Sequence, residues 1–439
     1  MLTPFLTSYD PSDLPGGSID PLGFDRGYIF LADQLLPGLT NAAGRPRYFS
    51  MMCAATQLAP EEGRTEREKL QIRTNRLLLL ERFWATANVL ASGDSDGLNA
   101  SGIRGVTFAE DFVARIEGRT ARSTDADFKM LAVQSRYGAV GIYANVAARV
   151  SLLDRQTMLP TRDLGRKLAD AFIKETCMPS KLRSVIRTGG GDVPVSALKE
   201  WGTAAHIAAR PQADESECLA EAFNLDVSRL RLGKLLKQFS AQKAEPELLR
   251  LQRIRKAATA KEGHRDLVEL IDVIAAFEAS YCLLLLLFER LLWLCKATGS
   301  ITPLSAARDP IVSEFGKQVS SCAGDLEEAV TLCSYEGFRK GVDRLHDVQA
   351  FIQAAAAASS TRDLLEVVLA RHADVQHGKF DRGRRKLPWI ERTADRYDLV
   401  LSGVGDTSGE PRSLEDVRTH EYRVAAADRI LAAGAGQPA

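Results

Sequence analysis

The most apolar stretch of the sequence, residues 267–295, limits what this chain can fold into. Its uncharged core, residues 279–288, lies between Glu278 and Glu289. That core is too short for a bilayer-spanning helix, which needs about 20 apolar residues. The stretch therefore predicts a helix buried in the core of a soluble protein, and no contact with a membrane.

Helical periodicity dominates the rest of the sequence. The clearest helix is predicted at residues 64–90, where leucines, Phe83 and Trp84 form a broad apolar face with few breakers. Other helices are predicted at residues 108–117, 138–153, 161–175, 194–208, 226–239, 246–261, 264–298, 311–332, 337–358, 361–372 and about 414–433. The best strand signal is at residues 397–402. We therefore expect a mainly α, multi-helical fold with a small α+β C-terminal part containing few strands.

Three loops rich in glycine, serine and aspartate divide the chain, at residues 93–105, 188–194 and 299–310. They predict four regions. These are an N-terminal helical region (1–105), a second helical region (106–190), a central region with basic helices and the buried apolar helix (191–300), and a C-terminal helical region with a basic loop and a short strand (301–439).

The charge balance restricts the kind of partner. The 57 Lys and Arg residues match 57 Asp and Glu residues, so any contact with a polyanion has to be a local patch. The seven cysteines form no C-x-x-C pair, and we interpret them as reduced, buried thiols. The motifs G-x-x-x-x-G-K-S/T, H-E-x-x-H and G-x-S-x-G are missing, so we expect no metal and no cofactor. The N-terminal segment lacks the features of a signal peptide, which predicts a cytoplasmic protein.

The local excess of positive charge lies between Arg371 and Ile390, with glycines and a tryptophan interleaved. Arginine forks bind phosphate oxygens, glycine allows close approach of the backbone, and an indole ring offers a stacking face. The nucleic-acid-binding residues predicted here are Lys379, Arg382, Arg384, Arg385, Lys386 and Trp389. The alternative is a solvated charged loop that Trp389 anchors to the core.

A second interpretation of the same segment is enzymatic. Arg371 and His377 match the permissive arginine-to-histidine spacing of helical, metal-independent ribonucleases of the HEPN type. In such a site Arg371 would polarise the phosphate, and His377 or His372 would be the general acid or base. Gly378 indicates that the helix ends close to this pair.

Arginines are also prominent in two other places. Residues 229–256 form a cationic face on two helices, for which we favour a structural role, with long basic side chains lying over the edge of the core. Arg45 and Arg47 alternate beside Tyr48, an arrangement that fits a phosphate or an acidic side chain. The favoured alternative is that both arginines bind neighbouring carbonyls.

Two segments carry a resemblance to known proteins. The motifs D-P-L-G, L-L-P-G-L-T-N and R-P-R-Y-F-S within residues 20–50 resemble the openings of uncharacterised bacterial proteins encoded near phage-defence genes. R-H-x-x-V-Q-x-G-K and K-x-P-W-I within residues 371–390, with H-E-Y-R at residues 420–423, are similar to the ends of such proteins. The resemblance implies a context, defence against mobile DNA. It also suggests that the two ends meet on one polyanion-binding surface lined by Arg45, Arg47, His372, Lys379 and Arg423.

The sequence thus predicts a non-enzymatic, nucleic-acid-binding subunit of a bacterial defence or genome-maintenance complex. DNA is favoured over RNA as its ligand, and a motor or nuclease encoded nearby is the expected partner protein. Two alternatives stay open. One is the metal-independent nuclease with its Arg/His pair, and the other is a scaffold that docks an acidic partner protein.

Overall fold

The computed structural model describes residues 20–93, 99–239, 245–259, 263–381, 384–400 and 410–437. Helices contain 66% of the residues and strands 5%, which confirms the mainly α prediction with a small α+β part. Among the described residues, the chain forms two compact units. The first contains residues 36–238 and 423–437, and the second contains residues 20–35 and 239–422.

The elements follow one another along the chain. The helices are α1 (Asp25–Leu35), α2 (Arg47–Leu58), α3 (Glu66–Ser92), α4 (Val106–Gly118), α5 (Gln134–Tyr137), α6 (Ala139–Arg149), α7 (Leu164–Glu175), α8 (Ser180–Thr188), α9 (Val195–Ala204), α10 (Ala213–Asn224), α11 (Val227–Gln238), α12 (Glu247–Thr259), α13 (Arg265–Thr298), α14 (Pro303–Ala307), α15 (Pro310–Gly316), α16 (Val319–Leu332), α17 (Glu336–Arg339), α18 (His346–Ala356), α19 (Thr361–His377) and α20 (Val424–Gly434). The strands are β1 (Ser123–Thr124), β2 (Val193–Pro194), β3 (Ser300–Ile301), β4 (Phe380–Asp381), β5 (Arg384–Arg385), β6 (Ile390–Thr393) and β7 (Arg396–Leu399).

The first unit is built around α3, the helix predicted at residues 64–90. Its start is fixed by a capping box, in which Thr65 Oγ1 accepts from the Glu68 amide and the Glu68 carboxylate accepts from the Thr65 amide. Helices α2, α4 and α9 pack against α3, while α7 and α20 pack against α10. The indole of Trp84 is fully buried and donates to the Ala205 carbonyl at 2.7 Å. The buried indole N–H thus has a hydrogen-bond acceptor, as buried polar groups require.

The second unit is organised around the apolar helix α13, which is 34 residues long. It is long and apolar enough to cross a membrane, but 72% of its most apolar window is buried within the fold. This burial agrees with the prediction of a core helix. Two fully or nearly buried charges, Glu278 and Arg290, interrupt its apolar surface. Arg290 is paired with Asp309 at 2.8 Å and with Glu410 at 2.5 Å.

Small antiparallel sheets complete the fold. In the second unit, β7 lies between β3 and β6, and β4 pairs with β5 as a separate hairpin. The predicted strand at residues 397–402 coincides in part with β7, which ends at Leu399, and residues 401 and 402 lie outside the described residues. In the first unit, β1 pairs with β2.

Three predicted helices are interrupted or begin much later in the structure. Residues 311–332 form two helices, α15 and α16, because the chain turns after Gly316. Residues 337–358 contain α17, a 3₁₀ helix and α18. The break falls at Gly341, where the backbone passes so close to the Phe30 ring that a Cβ would lie 2.7 Å from it. Helix α20 begins at Val424, ten residues after the predicted start at Leu414, which opens a short 3₁₀ helix. Apolar periodicity continues across these breaks, so it does not reveal them.

Candidate nucleic-acid interface

The basic segment is a β-hairpin that follows directly on the end of α19. Strand β4 pairs with β5 in antiparallel register, with Phe380 opposite Arg385. The Lys386 amide donates to the Lys379 carbonyl at 3.0 Å and extends the pairing by one step. The predicted site residue Arg382 lies outside the described residues. We call residues 379–387 the basic hairpin.

Two arginines of the basic hairpin face solvent. The side chains of Arg384 and Arg385 are exposed. No ion pair involves either of them within the described part of the chain. Lys386 is half-buried. Among the described residues of the hairpin, positive charge is thus presented to solvent mainly by the two arginines.

Lys379 holds the base of the hairpin. Its ammonium donates to the Asp20 carbonyl at 2.6 Å, and burial lowers its pKa while Asp20 and Asp25 oppose that shift. The Asp20 carboxylate in turn accepts from the amides of Gly23 at 2.7 Å and Asp25 at 2.8 Å. Lys379 is therefore engaged in a structural contact within the second unit.

His372 joins three separate segments of this unit. Its ring is fully buried, and Nε2 accepts from the Trp389 amide at 2.9 Å. Because that amide can only donate, the ring proton is on Nδ1, which donates to the Pro21 carbonyl at 3.0 Å. Burial lowers the pKa of His372 to about 4, so the ring is neutral at pH 7.

Trp389 anchors the far end of the hairpin. Its half-buried ring lies 5.7 Å from the Phe288 ring of α13 and 5.1 Å from the His372 ring, measured between centroids. This packing corresponds to the alternative in which the tryptophan is a hydrophobic anchor. The hairpin is thus held at both ends, by Lys379 and by Trp389.

The three candidate catalytic residues, Arg371, His372 and His377, have different surroundings. The Arg371 guanidinium donates to the Leu22 carbonyl at 2.8 Å and to the Asp347 carboxylate at 2.6 Å. His377 is exposed and is the last residue of α19. With His372 neutral and bonded through both ring nitrogens, two of the three candidate residues already have structural partners.

The D-P-L-G segment lies against α19, so parts of the two end segments do meet. Gly23 has a φ of +77°, and a Cβ at this position would lie 2.8 Å from Val375 Cγ2. Arg371, His372 and Lys379 bind the carbonyls of three successive residues, Leu22, Pro21 and Asp20.

The other arginines of the suggested surface belong to the first unit. Arg47 is only 2% exposed and pairs with the fully buried Glu215 at 3.0 Å. Arg423 is also buried, and its guanidinium donates to the Leu36 carbonyl at 3.2 Å. Arg45 is half-exposed. Arg47 thus binds an acidic side chain, as one of the two interpretations predicts, and also donates to the Ala204 and His206 carbonyls. Arg47 and Arg423 are both buried.

The basic stretch at residues 229–256 is similarly engaged. Arg229 is buried and donates to the carbonyls of Pro37 and Phe223, at 2.7 and 2.9 Å. In the second unit, Arg253 pairs with Glu245 at 2.5 Å. These contacts agree with the structural role that the sequence favours.

One polar cluster escaped the sequence analysis. Glu278 of α13 is fully buried and accepts from His420 Nδ1 at 2.8 Å, from the His420 amide at 3.1 Å and from the Tyr422 hydroxyl at 2.6 Å. The His420 ring stacks on Tyr28 with 4.5 Å between centroids. A glutamate at the edge of an apolar run was the available signal, because a buried carboxylate needs donors.

Comparison with known proteins assigns no family and no relative to this chain. No protein-family model matches the chain, and no curated protein and no solved structure is significantly similar to it. Within the described residues, no group of three or more His, Cys, Asp and Glu side chains is arranged to hold a metal ion.

Acid pH is expected to weaken the second unit through His372. The pKa of His372 is about 4 in the folded protein and about 6.5 in an unfolded chain, so between these values only the unfolded chain binds the proton. The stability that His372 contributes is complete above pH 6.5 and is lost as the pH falls towards 4, by up to about 3 kcal/mol. The measurement is urea unfolding of the wild type and His372→Gln at several pH values.

The difference in unfolding free energy between the wild type and His372→Gln isolates the contribution of His372. His206 in the first unit, whose pKa burial also lowers to about 4, is present in both and cancels. The stability difference between wild type and variant should shrink as the pH falls from 7 to 4.5. A difference that stays constant over this range would contradict the assignment of a neutral, buried His372.

Proposed function

We propose that this protein is a non-enzymatic, cytoplasmic nucleic-acid-binding subunit, with DNA favoured over RNA, and that the basic hairpin is its contact surface. The observation that carries the proposal is the exposure of Arg384 and Arg385 on a hairpin whose two ends are fixed to the core. Fixed ends reduce the conformational entropy lost on binding, which favours affinity.

The chemistry of the two exposed arginines suits phosphate. A guanidinium donates two parallel hydrogen bonds to phosphate oxygens and keeps its charge at every physiological pH. Because the whole chain has no net charge, this local surface has to supply the attraction itself. Lys379, Trp389, Arg47 and Arg423 are left out of the proposed contact set, since each has a structural partner or packing role.

The biological context of the proposal comes from the two end motifs alone. Their resemblance to proteins encoded near phage-defence genes supports a subunit of a bacterial defence or genome-maintenance complex. A motor or nuclease encoded nearby is then the partner that acts on the bound nucleic acid. The metal-independent nuclease is less favoured, because Arg371 and His372 are bound to Leu22 and Pro21.

The salt dependence of binding tests the proposed contact. We expect Arg384→Ala/Arg385→Ala to bind duplex DNA more weakly and to lower the slope of log affinity against log salt by about 2, from about 0.9 for each lost phosphate contact. The measurement is fluorescence anisotropy with labelled duplex DNA, single-stranded DNA and RNA over a salt series.

A matched control removes the same charge elsewhere. Lys181 and Arg187 on α8 are both exposed, so Lys181→Ala/Arg187→Ala changes the net charge equally. This variant should keep the wild-type slope. If the wild type binds none of the three nucleic acids at moderate salt, the proposal fails. The alternative of a scaffold that docks an acidic protein on the same arginines would then be preferred.

A further inference from the structure

The two sides of the basic hairpin are chemically different. In an antiparallel pair, residues directly opposite each other project to the same face, and successive residues alternate between faces. The register of β4 and β5 therefore places Phe380 and Arg385 on one face. Leu387 lies two residues after Arg385, just beyond the end of β5. Lys379, Arg384 and Lys386 belong to the opposite face.

The two faces have different surroundings. Lys379 points to the body of the second unit, because its ammonium binds the Asp20 carbonyl, while Arg384 on the same face is exposed. On the other face, Phe380 is 60% exposed and Arg385 is exposed as well, and Leu387 just beyond β5 is 54% exposed. We call Phe380, Arg385 and Leu387 the outer face of the hairpin. It presents an aromatic ring and an aliphatic side chain next to a guanidinium.

We propose that the outer face binds unpaired bases, so that the protein prefers single-stranded nucleic acid to duplex. This inference rests on the proposed function and specifies its ligand. A single strand offers phosphates together with free base faces, which complement a guanidinium beside an exposed ring. In a duplex the base faces are stacked on one another and inaccessible to Phe380. Arg385 binds a phosphate of the strand while Phe380 stacks on an adjacent base.

The test compares Phe380→Ala with Phe380→Trp on oligo(dT) and on a duplex, with the wild type as reference. Phe380→Ala is expected to weaken binding to the single strand about tenfold or more and binding to the duplex less than about twofold. Its salt slope should not change, because no charge is removed. Phe380→Trp should keep the single-strand affinity, since it keeps a stacking surface.

The control is Phe108→Ala, which removes another exposed phenylalanine, 51% exposed, from the first unit. It should bind both ligands as the wild type does. If Phe380→Ala weakens duplex and single strand equally, or neither, while the wild type binds, the preference for unpaired bases is overturned and the proposed function stands. If the wild type binds neither, both proposals fail. Binding to phosphatidylserine vesicles but to neither nucleic acid would also overturn them.

Discussion

Replacing Arg47 by methionine is expected to lower the free energy of unfolding by about 3–5 kcal/mol, because it leaves a buried carboxylate without its cation. Arg47 and Glu215 form an ion pair of 3.0 Å whose side chains are 3% and 0% exposed. The guanidinium also donates to the Ala204 carbonyl at 2.5 Å, so it joins α2 to the end of α9. Methionine keeps the aliphatic stem, and the loss therefore reports the charge and its hydrogen bonds. Urea unfolding measures it.

The pH dependence of this loss identifies its cause. Burial raises the pKa of Glu215 and Arg47 opposes that rise, so the pKa rises further when Arg47 is removed. A carboxyl group whose pKa is raised in the folded protein lowers the free energy of unfolding as the pH increases. The stability lost by Arg47→Met, relative to the wild type, should therefore be larger at pH 8 than at pH 5. In Arg47→Met/Glu215→Gln the carboxylate is gone, and part of the stability should return.

The exposed Arg187 provides the comparison, since Arg187→Met should change stability by less than about 0.5 kcal/mol. Arg47→Met that is still folded should bind nucleic acid like the wild type. A variant with wild-type stability and weakened binding would instead return Arg47 to the set of phosphate ligands.

Truncating Glu278 to alanine is the second change expected to have a large effect, again about 3–5 kcal/mol of unfolding free energy. The carboxylate accepts hydrogen bonds from the His420 ring, the His420 amide and the Tyr422 hydroxyl. The variant leaves the buried Tyr422 hydroxyl and the partly buried His420 donors without this acceptor. The change also creates a cavity beside the core helix α13. Urea or thermal unfolding of the two proteins gives the difference.

Two further variants show whether the hydrogen bonds of Glu278 cause the loss of stability in Glu278→Ala. Tyr422→Phe removes one of the three donors and should cost about 1 kcal/mol. Glu314→Ala makes the same substitution at an exposed site on α15 and should be nearly neutral. Equal losses for Glu314→Ala and Glu278→Ala would show that the buried network contributes nothing specific.

Much of the fold was accessible from local patterns. The apolar run at residues 267–295 predicted the buried helix α13, and the periodicity at residues 64–90 predicted α3 to within two residues at each end. Both predictions succeed because a helix and its apolar face depend on neighbours three and four positions apart. The position of the basic hairpin was also visible, since a cluster of cations needs no knowledge of distant residues.

The sequence by itself therefore determined which stretches are helical, that the longest apolar helix lies inside the protein, and where positive charge is concentrated. Only the tertiary structure decided what the individual cations do. Arg384 and Arg385 reach solvent, whereas Arg47 is bound to a carboxylate 168 positions away and His372 to a carbonyl 351 positions away. Exposure and hydrogen-bond partners depend on contacts between segments far apart in the chain, and no local pattern encodes such contacts.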